Sequence, residues 1–178
     1  MRPSRPFCLV FLVSWLLAAN SSQALPHAVG AGGGLFAPVG DLGQDVGGSL
    51  NLSLGFGVIP VEKVRLGLEV SYARLKGKGD TDLSLQLLGG EISGRYVVYS
   101  FTDDVGLYGL LGVGNSRLIR TLGSGEERGY QVSGLIGGGG AFRVHERASV
   151  DAGLKFRRYF SEKTGDAFLL QIGVWYRS

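Results

Sequence analysis

Short segments in which every second side chain is apolar, and the residues between are small or polar, recur along most of this chain. Ser49-Leu50-Asn51-Leu52-Ser53-Leu54-Gly55-Phe56 is one, and Val64-Arg65-Leu66-Gly67-Leu68-Glu69-Val70-Ser71-Tyr72 repeats it with charges on the second face. A period of two places these two sets on opposite faces of a β-strand. One face is greasy, and the other is too small and too polar for an ordinary protein core. A strand with lipid on one side and a polar lumen on the other carries this dyad. Glycine supplies 31 of the 178 residues, many of them inside these segments. Repeated strand glycine marks bends and close packing in a tightly curved barrel.

Read along its length, the chain predicts an all-β fold: an eight-stranded antiparallel transmembrane up-and-down β-barrel. Strands are expected at 29–36, 46–56, 63–75, 83–98, 105–116, 129–144, 148–160 and 167–176. In the fourth, Leu83, Leu85 and Leu87 lie on one parity and Leu88, Ile92, Tyr96 and Val98 on the other. A bulge near Leu87-Leu88 would reconcile the halves, because one extra residue flips the alternation. Compact turns at 57–62, 99–104 and 145–147 alternate with longer connections at 38–45, 76–82, 117–128 and 161–166. Short periplasmic turns and longer outer loops have this arrangement, which puts the strand-one start on the periplasmic side. Phe36, Tyr72, Tyr130, Phe156, Phe160 and Phe168 fall near loop ends, and Phe56, Tyr96, Phe142 and Tyr176 near turn ends. Two outward aromatic girdles are expected from them.

The first residues read as an export signal. Arg2 and Arg5 precede the apolar run 7–19, and Ser22-Gln23-Ala24 offers small residues to a signal peptidase. Residues 1–24 are therefore expected to be cleaved, leaving one barrel domain at 25–178. The apolar run is shorter than the roughly 20 residues of a spanning helix. Two of the chain's 18 Lys and Arg leave with the leader, so the rest nearly balances the 15 Asp and Glu. That balance argues against nucleic acid as a partner. The single cysteine, Cys8, also lies in the leader, so no disulfide is expected in the exported domain.

Three segments carry a resemblance: the run 105–114, Val-Gly-Leu-Tyr-Gly-Leu-Leu-Gly-Val-Gly; the run 134–143, Gly-Leu-Ile-Gly-Gly-Gly-Gly-Ala-Phe-Arg; and the closing Leu170-Gln171-Ile172-Gly173-Val174-Trp175-Tyr176. With them the chain resembles the small outer-membrane barrels typified by the membrane domain of outer membrane protein A and its OmpX-like relatives. The resemblance implies residence in the outer membrane of a diderm bacterium, contact with outer-membrane lipid, and a monomer. It also implies recognition by the assembly machinery through the C-terminal strand, where Gln171, Gly173 and Tyr176 fit the polar, glycine and aromatic positions of the sorting signal.

The second-parity charges would line the lumen: Arg65, Glu69, Glu91, Arg95, Asp151, Lys155 and Arg157, with Ser71, Ser93, Gln131, Ser133, Gln171 and Trp175 among them. The interior of eight strands is only just wide enough for side chains to fill. Charges there must pair, because an unpaired buried charge costs several kcal/mol. The acids Glu69, Glu91 and Asp151 can be matched to Arg65, Arg95, Lys155 and Arg157, and Arg65 and Arg95 are basic candidates on the same two neighbouring strands as Glu69 and Glu91. A side-chain-filled lumen and a structural or surface-interaction role are the expectation, with an unidentified ligand at the outer loops. A minimal pore through the same charges, and a soluble lipocalin-like barrel with the faces inverted, are the rivals. No enzyme, cofactor or metal is expected. His27 and His145 fall at turn ends, no Gly-x-Ser-x-Gly elbow occurs, and no serine is expected to have a histidine placed to activate it. The run 32–37 satisfies a dinucleotide fingerprint only formally, without its strand-turn-helix setting.

Overall fold

The computed structural model of the chain describes residues 25–79, 83–123, 125–160 and 165–178. The expected signal segment 1–24 lies outside them, as do 80–82 and 161–164 of two outer connections. Eight strands form one closed antiparallel barrel in sequence order: β1 (His27–Val39), β2 (Ser49–Val61), β3 (Val64–Lys76), β4 (Leu83–Ser100), β5 (Val105–Leu122), β6 (Gly125–His145), β7 (Ala148–Phe160) and β8 (Gly165–Arg177). β8 pairs back onto β1 from Ala28↔Arg177 to Val39↔Asp166, so closure leaves no unpaired edge around the wall. The predicted fold is the observed one.

Parity decides which face each residue takes. Leu50, Leu52 and Leu54 on β2, Leu66, Leu68 and Val70 on β3, and Leu170, Ile172 and Val174 on β8 all stand exposed on the outer wall. Their partners in the alternation point inward, and Asn51, Ser53 and Ser71 among them are buried. A soluble barrel would need the reverse, so the lipocalin-like reading fails on this orientation. Tyr72, Tyr130, Phe160 and Phe168 face out toward the loop end, and Phe56, Tyr96, Phe142 and Tyr176 toward the turn end. Phe36 does not join the girdle. It turns into the lumen and is 1% exposed.

The expected bulge in β4 is absent. Its register with β3 runs unbroken from Val64↔Tyr96 to Lys76↔Ser84. Leu85 and Leu87 are instead buried in the lumen, on the same parity as Glu91 and Arg95, while Leu88 faces out. The apparent change of phase is thus a change in lumen chemistry with depth. Irregularities do occur at Val58/Val61, Val97/Tyr99 and Arg143/His145, all beside the short turns.

Two connections hold more structure than their composition predicts. Residues 117–128 are not a dozen-residue loop, because the β5–β6 ladder continues through Arg117↔Tyr130 and Arg120↔Glu127 to Leu122↔Gly125. Gly123 closes this hairpin at φ +58°, a left-handed conformation that glycine adopts without strain. Within 38–45 a six-residue helix, α1 (Gly40–Asp45), lies over the loop end and packs Leu42 against the buried apolar cluster.

Candidate functional site: the two-tier lumen

The inward residues of the loop-end half form an apolar plug. Phe36 of β1, Ala73 and Leu75 of β3, Leu85 and Leu87 of β4, Tyr159 of β7, and Ala167 and Leu169 of β8 make one buried cluster with Val46. Leu42, Leu83 and Leu118 pack against its edge. This end of the lumen is closed by hydrophobic side chains.

Beneath the plug lies the charged tier, and all seven sequence-predicted lumen charges come together there. The strand register sets a problem that the tier then answers. Glu69 lies directly opposite Glu91 on the neighbouring strand, and Arg65 directly opposite Arg95. Like charges facing across a strand pair are destabilising. β7 supplies the counter-charges from the far side of the lumen. Lys155 Nζ donates to Glu69 Oε1 and Oε2 at 3.1 and 3.2 Å and to Glu91 Oε1 at 2.8 Å. Arg157 Nη2 donates to the other oxygen of Glu91. One step toward the turn end, Asp151 Oδ2 accepts from Arg65 Nη2 at 3.2 Å and also from Arg95 Nη1.

The acids of β3 and β4 therefore do not pair with the bases of their own strands. The four-residue spacing Arg65–Glu69 is matched in reverse by Asp151–Lys155, about 13 Å along each strand. β3 and β7 run in the same direction, so opposite charges meet at both levels. Gln171 extends the tier, its Nε2 lying 2.5 Å from Ser53 Oγ and 3.2 Å from Glu69 Oε1. The intervening inward positions of β5 and β6 include Gly112, Gly114, Gly137 and Gly139. A Cβ at Gly114 would meet that of Glu91 at 3.4 Å, and one at Gly137 would meet Lys155 Cγ at 3.3 Å. Bare backbone leaves the charges their room. A cavity of about 50 Å³ remains in this tier, enough for a few waters.

Two aromatic rings hold the arginines. Trp175 stacks on Arg65, with the guanidinium carbon 3.8 Å from the ring centroid, and Tyr108 on Arg95 at 3.6 Å. Each ring occupies the space over a pair of glycines. A Cβ at Gly30 or Gly55 would run into Trp175, and one at Gly139 or Gly153 would come within 2.8 or 2.5 Å of the Tyr108 hydroxyl. Tyr108 has no counterpart among the sequence-predicted lumen residues. The signal for it was available in its parity, which it shares with Gly112, Gly114 and the buried Ser116.

Toward the turn end the lumen opens into a cup of about 410 Å³. His27 and His145 lie at its end of the barrel. His145 Nδ1 accepts a 3.3 Å bond from the Arg147 amide. Ser178 Oγ is 2.9 Å from both ring nitrogens of His27, a serine–histidine contact that the sequence did not suggest. A hydroxyl equidistant from both nitrogens aligns with the lone pair of neither, which is poor geometry for proton abstraction. Among the described residues, no three His, Cys, Asp or Glu side chains gather as metal ligands. The formal dinucleotide fingerprint falls within β1, a barrel strand.

The family model of the outer membrane protein β-barrel domain matches residues 8–177. Among solved structures, the chain is similar to neisserial surface protein A at 17% identity and TM-score 0.63, covering 85% of this chain and 96% of that one. The N-terminal barrel of Pseudomonas aeruginosa OprF is similar at 15% identity and TM-score 0.64, over 88% of this chain and 100% of that one. Ail of Yersinia pestis shares 16% identity at TM-score 0.63, over 88% and 100%. At these identities the likeness is one of fold. No curated protein sequence matches the chain.

Proposed function

The chain belongs to the outer membrane protein β-barrel family and resides in the outer membrane, and we propose that it is a non-enzymatic, non-conducting barrel with a structural or surface-interaction role. One observation carries this reading: the apolar plug of Phe36, Leu75, Leu85, Leu87 and Leu169 closes the lumen above the paired charges. Water and ions crossing the barrel would have to pass a segment lined mainly by buried apolar side chains. The short turns, with the start of β1 and the end of β8, face the periplasm, and the extended β5–β6 hairpin projects outside. There the hairpin and its neighbouring connections present the surface for an external ligand. The barrel is a monomer, entered into the membrane through its C-terminal strand. Processing after Ala24 precedes assembly, and mass spectrometry of the membrane-bound form should find Leu25 at its N-terminus.

Planar-bilayer recording tests the closed lumen directly. Negligible conductance is expected from the purified barrel, and a large, stable single-channel current would overturn the proposal. The rival, a minimal pore, draws its support from the open cup and the cavity below the plug. Ester or lipid substrates should not be turned over. Hydrolysis that survives purification and disappears in His27→Ala would count against the non-enzymatic reading.

A further inference from the structure

The charged tier is balanced at its loop-end level and unbalanced at the cup. Glu69 and Glu91 face Lys155 and Arg157, two acids against two bases. One level lower, Arg65 and Arg95 share the single carboxylate of Asp151. The seven residues, four bases and three acids, thus carry a net +1, and the excess sits at the floor of the cup. Both arginines line that cup and are mostly buried, their side chains 19% and 9% exposed. A charge held away from bulk water draws a counter-ion when one can reach it.

The floor is also built to receive one. A guanidinium has five N–H donors in a planar fork that matches carboxylate and phosphate oxygens. Asp151 engages one nitrogen of each arginine. Trp175 and Tyr108 fix the two planes from behind, so little side-chain freedom remains to be lost on binding. Lys63, Arg143, Arg147 and Arg177 stand on the cup wall. They are matched in number by the acids near them, Glu62, Asp103, Glu146 and Asp104, the last already 3.9 Å from Arg143, so the excess positive charge of the cup is that of its floor.

We propose that the cup binds a small oxyanion, a phosphate or a carboxylate-bearing solute, with Arg65 and Arg95 as its donors. Among the described residues the plug closes the lumen above and the cup opens at the turn end, so this is a binding site and not a transport path. That the cup samples the periplasm rests on the orientation proposed above, whereas the binding itself does not.

Trp175 reports on the site. The chain's other tryptophan is Trp15, so a Trp15→Phe chain folded in neutral detergent isolates the signal. Sodium phosphate, disodium succinate and sodium chloride would be titrated at matched ionic strength. A saturable change in Trp175 fluorescence is expected with phosphate or succinate but not with chloride. A response to one alone assigns the ligand as phosphate or carboxylate. Equal responses to all three salts, or no saturable response to any, would overturn the site. Arg65→Gln keeps the Arg95–Asp151 pair and neutralises the network, so the barrel should fold. It should weaken binding roughly tenfold, the effect of losing one charge-assisted contact. Arg177→Gln, on the wall, should weaken it about two- to threefold as a screened charge does. Undiminished binding in Arg65→Gln would assign the signal elsewhere and sink the proposal. Conductance is read in a separate experiment, so a leaky lumen and an empty cup are distinguishable failures.

Discussion

On β4 the inward side chains run Leu83, Leu85 and Leu87 toward the loops, then Glu91, Ser93 and Arg95 toward the turns. β7 makes the same change from Tyr159 to Asp151, and β8 from Ala167 and Leu169 to Gln171 and Trp175. The loop-end half of the lumen coheres as a small hydrophobic core does, through burial of any well-fitting apolar surface. The turn-end half coheres only if specific charges meet, because each group alone would be costly to bury. The first half can seal the barrel, and the second can select a particular strand register. The β3–β4 ribbon places its like charges side by side, and only one placement of β7 answers both levels at once.

Removing one partner from the charged half should break it most severely. Glu91→Ala strands Arg157 and half of the Lys155 bridge, so it should cost about 3–5 kcal/mol. Urea unfolding of the barrel in lipid vesicles measures this. Glu91→Ala combined with Arg157→Ala should recover part of the loss, as coupled sites do. A single-variant cost below about 1 kcal/mol would mean a solvated tier, the range typical of exposed pairs, and would erase the contrast between the halves.

In the plug, Leu75→Ala should cost about 2–5 kcal/mol in the same assay, because a cavity replaces a fully buried side chain. Here a second truncation, Leu169→Ala, should deepen the loss instead of repairing it. That opposite response to a second mutation is the sharpest test of the difference. The outer wall should ignore the division within. Leu68→Arg and Leu154→Arg, both lipid-facing, should each cost about 2–4 kcal/mol near the midplane. If they fold as well as the parent, the assignment of faces is wrong. The smallest effect belongs above the membrane, where Glu126 and Arg128 form an exposed ion pair on the β6 extension. Arg128→Ala should change stability by less than about 1 kcal/mol.

The strand count, the antiparallel order and the two faces were legible in the chain because a two-residue period is a local property. The seven lumen charges were legible for the same reason: each stands on its strand's polar parity. Depth within the lumen was not, and two expectations failed on it. Leu85 and Leu87 looked out of phase, and a bulge in β4 was needed to make them face lipid. Phe36 looked like a girdle aromatic. Both belong to the plug, whose existence depends on residues from β1, β3, β4, β7 and β8 meeting at one level. Residues 117–128 looked like a loop because Gly and charge dominate their composition. Their alternation still supports a ladder, and Arg120 lies opposite Glu127 across it.

By itself, then, the sequence determined the wall of this protein: eight strands, which face of each meets lipid, and which charges turn inward. Those outcomes follow from alternation, and alternation needs no knowledge of distant residues. Only the tertiary structure decided how the inside is divided and who pairs with whom. Barrel closure sets β7 across the lumen from β3 and β4, joining Lys155 to Glu69 and Asp151 to Arg65 over 86 residues of chain. Curvature and stagger bring those levels together, and no local pattern encodes either.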